Sequence, residues 1–333
     1  MKICIIGASG HYGYVLKSLS KGMKISGIAP GSAGENIGVL RNDMKKMGLL
    51  AKEYSDYRKM LDIEKPDIVV VNTFFSNNGK ILKYLLERKI NAFVEKPIAA
   101  SLEELNEIKN LYEKVKEEMF FTAMFGLRYK AHFLTAKLLI DSGKIGEIRL
   151  INTQKSYKLG TRPDFYKRRD TYTGTILWVG IHAIDWINWF SKKKFLKIYA
   201  THSRIANKNH GELESTALCH FTLEDEVFAS LSIDYLRPSS APTHDDDRIR
   251  IAGTKGVMEV INGRVYLISD EGPVEPDLVE EKQIFTDFIA QITGKGPCMV
   301  TPQDSILATE IALLARESAD TEKIIELKEG DDE

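Results

Sequence analysis

Two ionisable residues on an apolar segment are the first candidates for chemistry in this sequence. Residues 174–190 are apolar almost throughout, which predicts a buried helix, and His182 and Asp185 are the only titratable groups in it. Residues three apart lie on the same face of a helix. Since a buried polar group without a partner costs about 1–3 kcal/mol, the pair is either a mutually satisfied core pair or a site that moves protons. The residues alone leave both interpretations open.

Lys96 is a second candidate, and it follows an apolar run at residues 90–94 and precedes Pro97. Most lysines are solvated surface residues. Its place between a buried strand and a proline favours a functional lysine over a solvated one.

A glycine-rich turn supplies a third candidate site, this time for binding. Gly7, Gly10 and Gly13 follow an apolar run at residues 2–6 and precede a helical pattern at residues 12–20. A dinucleotide site needs a tight turn, a close approach of backbone to pyrophosphate and a helix start aimed at the anion. The spacing is one residue longer than the usual GxGxxG, but its position between strand and helix favours a dinucleotide-binding turn.

The second strand of such a site normally ends in an acidic residue that binds the ribose hydroxyls. Here the region reads Gly27-Ile-Ala-Pro30-Gly-Ser32, without an acid at that place. No arginine replaces it, although Ser32 could accommodate a 2′-phosphate. The sequence therefore leaves NAD and NADP as alternatives.

The elements around these residues change character along the chain. In the first third, short apolar strands at 2–6, 24–28, 67–72, 90–94 and 119–124 alternate with helical patterns, which is typical of a parallel α/β sheet. Ser101 and Glu104 form a predicted capping box at the start of one of these helices.

From about residue 145 the pattern becomes period-two alternation with turns at 253–256 and 262–263. We therefore predict an α/β Rossmann domain over residues 1–123 and an α+β domain on an open, mostly antiparallel sheet over residues 124–333. Helices are expected near residues 129–141, 174–190, 279–293 and 303–318.

Composition excludes several classes of protein. The net charge of −1 gives no overall field for nucleic acid or an anionic membrane, and no apolar run is long enough to span a bilayer. The start of the chain enters a strand directly rather than reading as a signal peptide. Three scattered cysteines, Cys4, Cys219 and Cys298, fit neither a disulfide framework nor a metal site, so we expect no bound metal and a cytoplasmic location.

Three motifs in order make this sequence resemble the glucose–fructose oxidoreductase/inositol dehydrogenase (Gfo/Idh/MocA) family. They are the glycine turn, the run Glu95-Lys96-Pro97 and the run Gly180-Ile-His182-Ala-Ile-Asp185. Lesser matches are Leu127-Arg128-Tyr129, Ser142-Gly-Lys-Ile-Gly-Glu147 and Gly253-Thr-Lys-Gly256, so the resemblance covers nearly the whole chain.

The resemblance implies an NAD(P)-dependent oxidoreductase that acts on a CH–OH group of a sugar, polyol or sugar derivative. It places Lys96 between nicotinamide and substrate, makes His182 the general acid/base, and gives Asp185 the role of orienting His182 or binding a substrate hydroxyl. The expected substrate-binding residues are Asp185, Trp178, Arg128, Arg168 and Arg169. The expected cofactor-binding residues are Gly7, Ser9, Gly10, His11, Tyr12, Gly13, Ser32, Asn72, Thr73, Phe74, Glu95 (at the nicotinamide ribose) and Lys96.

Two departures from the family pattern keep an alternative open. Relatives carry an aspartate one helical turn before the histidine, where this chain has Trp178, and their Thr-Pro after the fourth strand is Thr73-Phe74 here. Trp178 could stack on a sugar ring or simply fill the core. The alternative to an enzyme is thus an NAD(P)-binding sensor of the same fold, and a more remote one is a hydrolase that uses tightly held NAD.

The segment 158–170 favours an anionic substrate, because it has five basic residues and two acidic ones just before the helix of His182. Guanidinium groups suit carboxylates and phosphates. A solvated loop is the competing interpretation. We further expect a homodimer or homotetramer formed through the open face of the second sheet, where Phe228 and Leu236 are presented.

Overall fold

A computed structural model describes residues 1–327, which form two compact units. The first comprises Met1–Gly126, Asp170–Thr173 and Gln283–Glu310, and the second comprises Leu127–Arg169, Gly174–Lys282 and the described chain from Ile311 onward. The single predicted boundary at residue 123 lies close to Gly126, but it does not anticipate the two later segments that return to the first unit. Residues 328–333 of the predicted second domain lie outside the described residues.

The first unit contains a six-stranded parallel sheet. Its strands are β1 Lys2–Ile6, β2 Lys24–Ala29, β3 Lys52–Glu53, β4 Ile68–Val71, β5 Asn91–Val94 and β6 Phe121–Ala123. Their order is β3-β2-β1-β4-β5-β6, so the strand order reverses between β1 and β4. Ligands of such sheets bind at this reversal, beyond the carboxyl ends of the strands. The predicted Rossmann architecture is confirmed.

The helices lie close to the predicted segments. They are α1 Gly13–Leu16, α2 Gly38–Lys46, α3 Tyr57–Glu64, α4 Asn78–Leu86, α5 Leu102–Val115, α6 Ala131–Asp141, α7 Arg169–Tyr172, α8 Ile181–Ser191, α9 Ile284–Ile292 and α10 Pro302–Thr321. Helix α5 has the predicted Ser101 cap, which accepts the N–H of Glu104 at 3.2 Å, while Glu104 reaches back to the N–H of Ala100 rather than of Ser101. Helix α1 is shorter than the predicted 12–20, because the following Ser18, Ser20 and Gly22 are poor helix formers.

The segment 283–310 completes the first unit by packing aromatic rings against β5. The ring of Phe93 lies 5.2 Å from that of Phe285 and 5.4 Å from that of Phe288. All three side chains are fully buried. The core of this unit therefore includes residues from both ends of the chain.

The second unit contains a nine-stranded sheet. Its strands are β7 Ile148–Tyr157, β8 Phe195–Ser203, β9 Thr216–Leu223, β10 Val227–Asp234, β11 Asp245–Gly253, β12 Gly256–Ile261, β13 Arg264–Ser269, β14 Gly272–Val274 and β15 Ile325–Glu326. The order is β14-β13-β12-β11-β7-β10-β9-β8-β15, and only the pair β7–β10 among them is parallel within the described chain. The predicted mostly antiparallel sheet and both predicted turns are confirmed.

Burial along β10 alternates as the sequence predicts. Val227, Ala229, Leu231 and Ile233 are buried, whereas Phe228 on the other face is 43% exposed. One face of the sheet is therefore core and the other is open in this chain. Within residues 1–327, no helix is both long and apolar enough to cross a membrane.

Candidate functional site

The glycine turn lies between β1 and α1, and two of its three glycines are required by the protein itself. Gly7 has φ +81°, and a Cβ there would lie 2.6 Å from the backbone of Asn72 and Thr73. At Gly10 a Cβ would lie 2.2 Å from Oε2 of Glu95. Around Gly13, by contrast, nothing described lies within 4 Å of a Cβ. The turn thus lets the backbone approach neighbouring loops closely, and it leaves open space at its helical end.

Glu95, directly after β5, anchors this turn. Its fully buried carboxylate accepts the backbone N–H of His11 at 2.6 Å and lies 2.7 Å from His11 Nδ1. Burial alone would raise the pKa of Glu95, but the opposing effects of His11 and Lys96 hold that pKa below its usual value. Glu95 is therefore an ionised carboxylate inside the first unit.

Lys96 is almost completely buried, with 1% of its surface exposed. Its backbone N–H donates to Glu95 Oε1 at 3.0 Å, and its Nζ lies 4.0 Å from the same oxygen. The Lys96–Pro97 peptide bond is cis. A buried lysine at the carboxyl end of a parallel strand is in the position where these sheets place ligand-binding groups.

Asn72 follows β4 and faces the glycine turn. Its carbonyl accepts the N–H of Ser9 at 2.7 Å, and a Cβ at Gly10 would lie 2.8 Å from its Oδ1. Both polar atoms of its side-chain amide are buried without a hydrogen-bond partner among the described residues. Unsatisfied buried amides are rare and usually mark a water or ligand site.

Tyr12 fixes the far side of the turn rather than facing solvent. Its hydroxyl donates to Asp43 of α2 at 2.9 Å, and the ring is largely buried. Phe74 is half-buried at the start of a short 3₁₀ turn, Phe75–Asn77. Both residues belong to the loops that surround the carboxyl edge of the sheet.

Glu35 is a candidate cofactor-site residue that the sequence did not reveal. It lies six positions beyond the end of β2, yet its carboxylate returns to that strand's end and is 9% exposed. It accepts hydrogen bonds from five donors: Ala8 N (3.1 Å), Ser9 Oγ (2.6 Å), Gly31 N (2.9 Å), Ser32 N (3.2 Å) and Thr73 Oγ1 (2.8 Å). The acid expected at the end of β2 is therefore present in space, although it is absent at that position in the sequence.

Ser32 and Thr73, which both donate to this carboxylate, also lie against each other. Their hydroxyl oxygens lie 2.6 Å apart, and Asn77 Nδ2 donates to Ser32 Oγ at 2.7 Å. A Cβ at Gly31 would lie 2.6 Å from Thr73 Cβ, so glycine is needed between them. Ser32 was expected to accommodate a phosphate, and the structure places it beside a buried carboxylate instead.

In the second unit, His182 lies on α8 directly after a π-helical turn, Ile176–Gly180. Turns of this kind recur at functional sites. Gly180 lets the helix approach the sheet, because a Cβ there would lie 2.7 Å from Ile233 Cδ1. The predicted buried helix is confirmed, and His182 is 5% exposed.

Asp185 and Arg128 hold α8 from the side. Arg128 donates through Nε to Oδ2 at 2.9 Å and through Nη2 to Oδ1 at 2.6 Å, and each side chain is 1% exposed. The Arg128 guanidinium also lies 5.4 Å from the ring of Trp189. Both residues were expected to bind substrate, and the structure bonds them to each other.

Trp178 lies in the π-helical turn and is 8% exposed. Its ring meets that of Tyr166 edge to face, with centroids 6.3 Å apart. The burial fits an indole that helps to fill the core beside α8.

The basic segment before α7 is largely paired within the second unit. Arg169 bonds the nearly buried Glu214 and lies 3.1 Å from Asp320, while Glu214 also accepts the N–H of Thr175 at 2.9 Å. Arg169 therefore helps to hold the start of the helical segment of His182, and its expected role with substrate stays a prediction. Arg168 is exposed.

Lys155 and Asp247 form another buried ion pair that the sequence did not indicate. Lys155 on β7 faces its register partner Asp247 on β11, and its Nζ lies 4.7 Å from the ring of Trp186. Burial lowers the pKa of Lys155 and raises the pKa of Asp247. The pair lies beneath α8, one turn beyond His182. Within residues 1–327, no group of histidine, cysteine and acidic side chains is arranged to hold a metal ion.

Comparison with known proteins agrees with this architecture. The profile of the Gfo/Idh/MocA oxidoreductase family, NAD-binding Rossmann fold, matches residues 1–122, and that of the family's C-terminal domain matches residues 133–259. A solved structure from Thermotoga maritima, described as a candidate oxidoreductase, is 63% identical with a TM-score of 0.97 and covers 98% of this chain and 100% of that one.

Two curated relatives are more distant. Inositol 2-dehydrogenase of Salmonella typhimurium is 24% identical over 304 residues, or 85% of this chain and 84% of that protein. An uncharacterized oxidoreductase of Bacillus subtilis is 26% identical over 210 residues, which are 63% of this chain and 60% of that one.

The fold and these matches define an NAD-binding oxidoreductase with a Rossmann domain and an α+β domain. The chain belongs to the Gfo/Idh/MocA family.

The residues of the first unit fit the cofactor of that family. The unsatisfied amide of Asn72 and the open space at Gly13 lie on the glycine turn, and Glu35 lies beyond the neighbouring strand ends. All of them are at the carboxyl edge, on the loops after β1, β2 and β4. They supply the polar groups that a dinucleotide needs there.

Proposed function

We propose that this protein transfers hydride between a nicotinamide dinucleotide and the CH–OH carbon of a polyol, sugar or sugar derivative. The observation that carries the proposal is the burial of Lys96 and His182, two side chains able to bind or move a proton, at the motif positions of the family. The relative named inositol 2-dehydrogenase supports a polyol as the substrate class. We propose the cytoplasm as the place of action.

We assign His182 and Lys96 separate roles toward the reacting hydroxyl. When bound, the nicotinamide ring supplies the hydride acceptor or donor. His182 takes the hydroxyl proton as general base, a role that typically contributes about 10²–10⁴-fold. Lys96 donates a hydrogen bond to that oxygen, while the Arg128–Asp185 pair keeps α8 in place.

Replacing either residue tests the proposal. Lys96→Ala and His182→Ala should each lower kcat by about 10²–10⁴-fold, and cofactor Kd measured by calorimetry should change only a few-fold. Lys59→Ala, at an exposed lysine of the first unit, is the matched control and should keep the wild-type rate. Near wild-type rates in both active-site variants would contradict the proposal.

An NAD(P)-binding sensor without turnover is the second candidate, and Trp178 favours it. Relatives carry an aspartate where this chain has the buried indole, so one proton-handling group of the family set is missing. A protein that binds cofactor but reduces none of it with any polyol, aldose, uronic acid or sugar nucleotide would support the sensor.

We propose a neutral polyol or sugar as the first substrate to test, with an anionic one as the alternative. Basic side chains of segment 158–170 bond groups in their own unit, among them Lys158 to Ser239 and Ala241, Arg162 to Lys158, Lys167 to Asp164, and Arg169 to Glu214 and Asp320. Arg168 is exposed, and it is the position at which we test the anionic alternative. Arg168→Ala should lower kcat/KM for an acidic sugar selectively if that alternative holds, and equally for acidic and neutral sugars if it does not.

We also propose that the open face of the second sheet forms a homodimer or homotetramer. Tyr199, Leu218 and Phe228 on adjacent strands β8, β9 and β10 are 42%, 57% and 43% exposed. Large apolar side chains exposed on adjacent strands of an uncovered sheet face favour an interface. A monomer in analytical ultracentrifugation at micromolar concentration would contradict this.

A further inference from the structure

The carboxylate of Glu35 joins three loops of the first unit. Its donors come from the loop after β1 (Ala8 and Ser9), the loop after β2 (Gly31 and Ser32) and the loop after β4 (Thr73). These three strands are neighbours at the reversal of the sheet order. The carboxylate therefore lies where the adenosine half of a dinucleotide reaches the sheet.

The five donors are of two kinds. Three are backbone N–H groups, which hold the carboxylate in place whatever its surroundings. The other two are hydroxyls, one on each carboxylate oxygen: Ser9 Oγ on Oε1 at 2.6 Å and Thr73 Oγ1 on Oε2 at 2.8 Å. One hydroxyl per oxygen is the pattern in which a carboxylate receives a vicinal diol.

Within residues 1–327, no cation balances this nearly buried charge. Among the described residues, no lysine, arginine or histidine forms an ion pair with Glu35, and every contact is with a neutral donor. Buried charges in proteins are usually paired. A carboxylate held only by neutral donors keeps its negative charge, so it can exchange one hydroxyl donor for another and repels a second anion.

We propose that Glu35 binds the 2′- and 3′-hydroxyls of the adenosine ribose and makes this protein specific for NAD over NADP. The hydroxyls of Ser9 and Thr73 occupy the positions that the ribose hydroxyls take on binding. A 2′-phosphate would be repelled by the negative charge of this fixed carboxylate. The nearby backbone N–H donors could not bind it, because they already donate to Glu35. The inference rests on the proposed function only for the use of a nicotinamide dinucleotide.

Replacing Glu35 should reverse the preference. In Glu35→Ala the N–H groups of Ala8, Gly31 and Ser32 lose their acceptor and become a cradle for phosphate. We expect the ratio of Kd for NADP⁺ to Kd for NAD⁺ to fall by about 100-fold, since like charges in contact weigh heavily in specificity. The ratio is measured on one sample by calorimetry, so it does not depend on the fraction of folded protein.

A further variant and two ligand fragments separate binding from structure. Glu117→Ala, at an exposed glutamate of the first unit, is the control for net charge and should leave the ratio unchanged. Adenosine 2′,5′-bisphosphate and AMP repeat the comparison without the nicotinamide.

The outcomes are distinct. A wild-type protein that binds NADP⁺ as tightly as NAD⁺, or a ratio that Glu35→Ala leaves unchanged, overturns the inference while the proposed function stands. NAD⁺ specificity that depends on Glu35 in a protein without turnover supports the inference and overturns the proposed function. Absence of binding to either cofactor overturns both.

Discussion

In the second unit, the buried carboxylates of Asp185 and Glu214 each lie against a guanidinium group, whereas Glu35 in the first unit lies against neutral donors only. Ion pairs of the first type are complete within the protein. They fix the segment that carries His182 and offer little to a ligand. The carboxylate of Glu35 is solvated by the protein but not neutralised, which leaves its charge available to select a ligand.

Breaking the Arg128–Asp185 pair should produce the largest effect. Arg128→Met leaves a buried carboxylate without its counter-charge and should lower the free energy of unfolding by about 3–5 kcal/mol. The measurement is urea unfolding followed by the fluorescence of the three tryptophans, all of which lie at or beside this helix.

The double variant Arg128→Met/Asp185→Leu is the control for this prediction. It should lose less stability than the single variant, because neither charge is then left unpaired. A single variant that loses less than about 1 kcal/mol would show that the pair is not desolvated in solution, and the contrast with Glu35 would fail.

Two glycines of the first unit, Gly10 and Gly13, should differ in the stability that they lose on replacement by alanine. Gly10→Ala brings a Cβ to 2.2 Å from the buried carboxylate of Glu95 and should cost about 1–3 kcal/mol. Gly13→Ala meets nothing described within 4 Å and should stay within about 0.5 kcal/mol of wild type. Thermal unfolding of both variants without cofactor checks this.

The contrast between Gly10 and Gly13 also affects how a cofactor-binding test at Gly10 is interpreted. A bulky residue at Gly10 disturbs Glu95 before it reaches any pyrophosphate, so weakened NAD⁺ binding there would not by itself locate the cofactor. Equal stability of the Gly10→Ala and Gly13→Ala variants would contradict the placement of Glu95.

The smallest expected effect is on the pH dependence of stability, through the ionised carboxylate of Glu95. Since the pKa of Glu95 is held below its unfolded value, its ionisation stabilises the fold above about pH 4.5. That contribution is lost as pH falls through the folded pKa. Wild-type protein should therefore lose stability more steeply than Glu95→Gln below this pH in urea unfolding series. Parallel curves for the two proteins would be inconsistent with the depressed pKa.

The fold could be predicted from the sequence because its signals are local. Continuous apolar runs marked β1, β4 and β5, and period-two alternation marked β10. The Ser101 cap could also be predicted, since the groups that form it lie within four residues of one another. Helix α1 was predicted too long, because apolar spacing continues past Leu16 while the serines and glycine beyond it favour a turn.

The site was only partly predictable for a different reason. The glycine turn, Lys96 and His182 lie in contiguous motifs, but the partners that define the polar clusters are distant in sequence. Arg169 meets Asp320, 151 positions away, and Lys155 meets Asp247, 92 positions away. Glu35 reaches its partners through a loop that turns at Gly34 with φ +75°. Inspecting only the residues at the end of β2 therefore misses it.

The return of residues Gln283–Glu310 to the first unit has a consequence for synthesis on the ribosome. Phe93 is translated early, but the rings of Phe285 and Phe288 that cover it come after roughly 150 residues of the second unit. At about 5–20 residues per second, the ribosome needs about 8–30 s to supply them. During that interval the nascent Rossmann sheet lacks the rings that cover Phe93, and transiently exposed apolar surface of this kind is prone to aggregation.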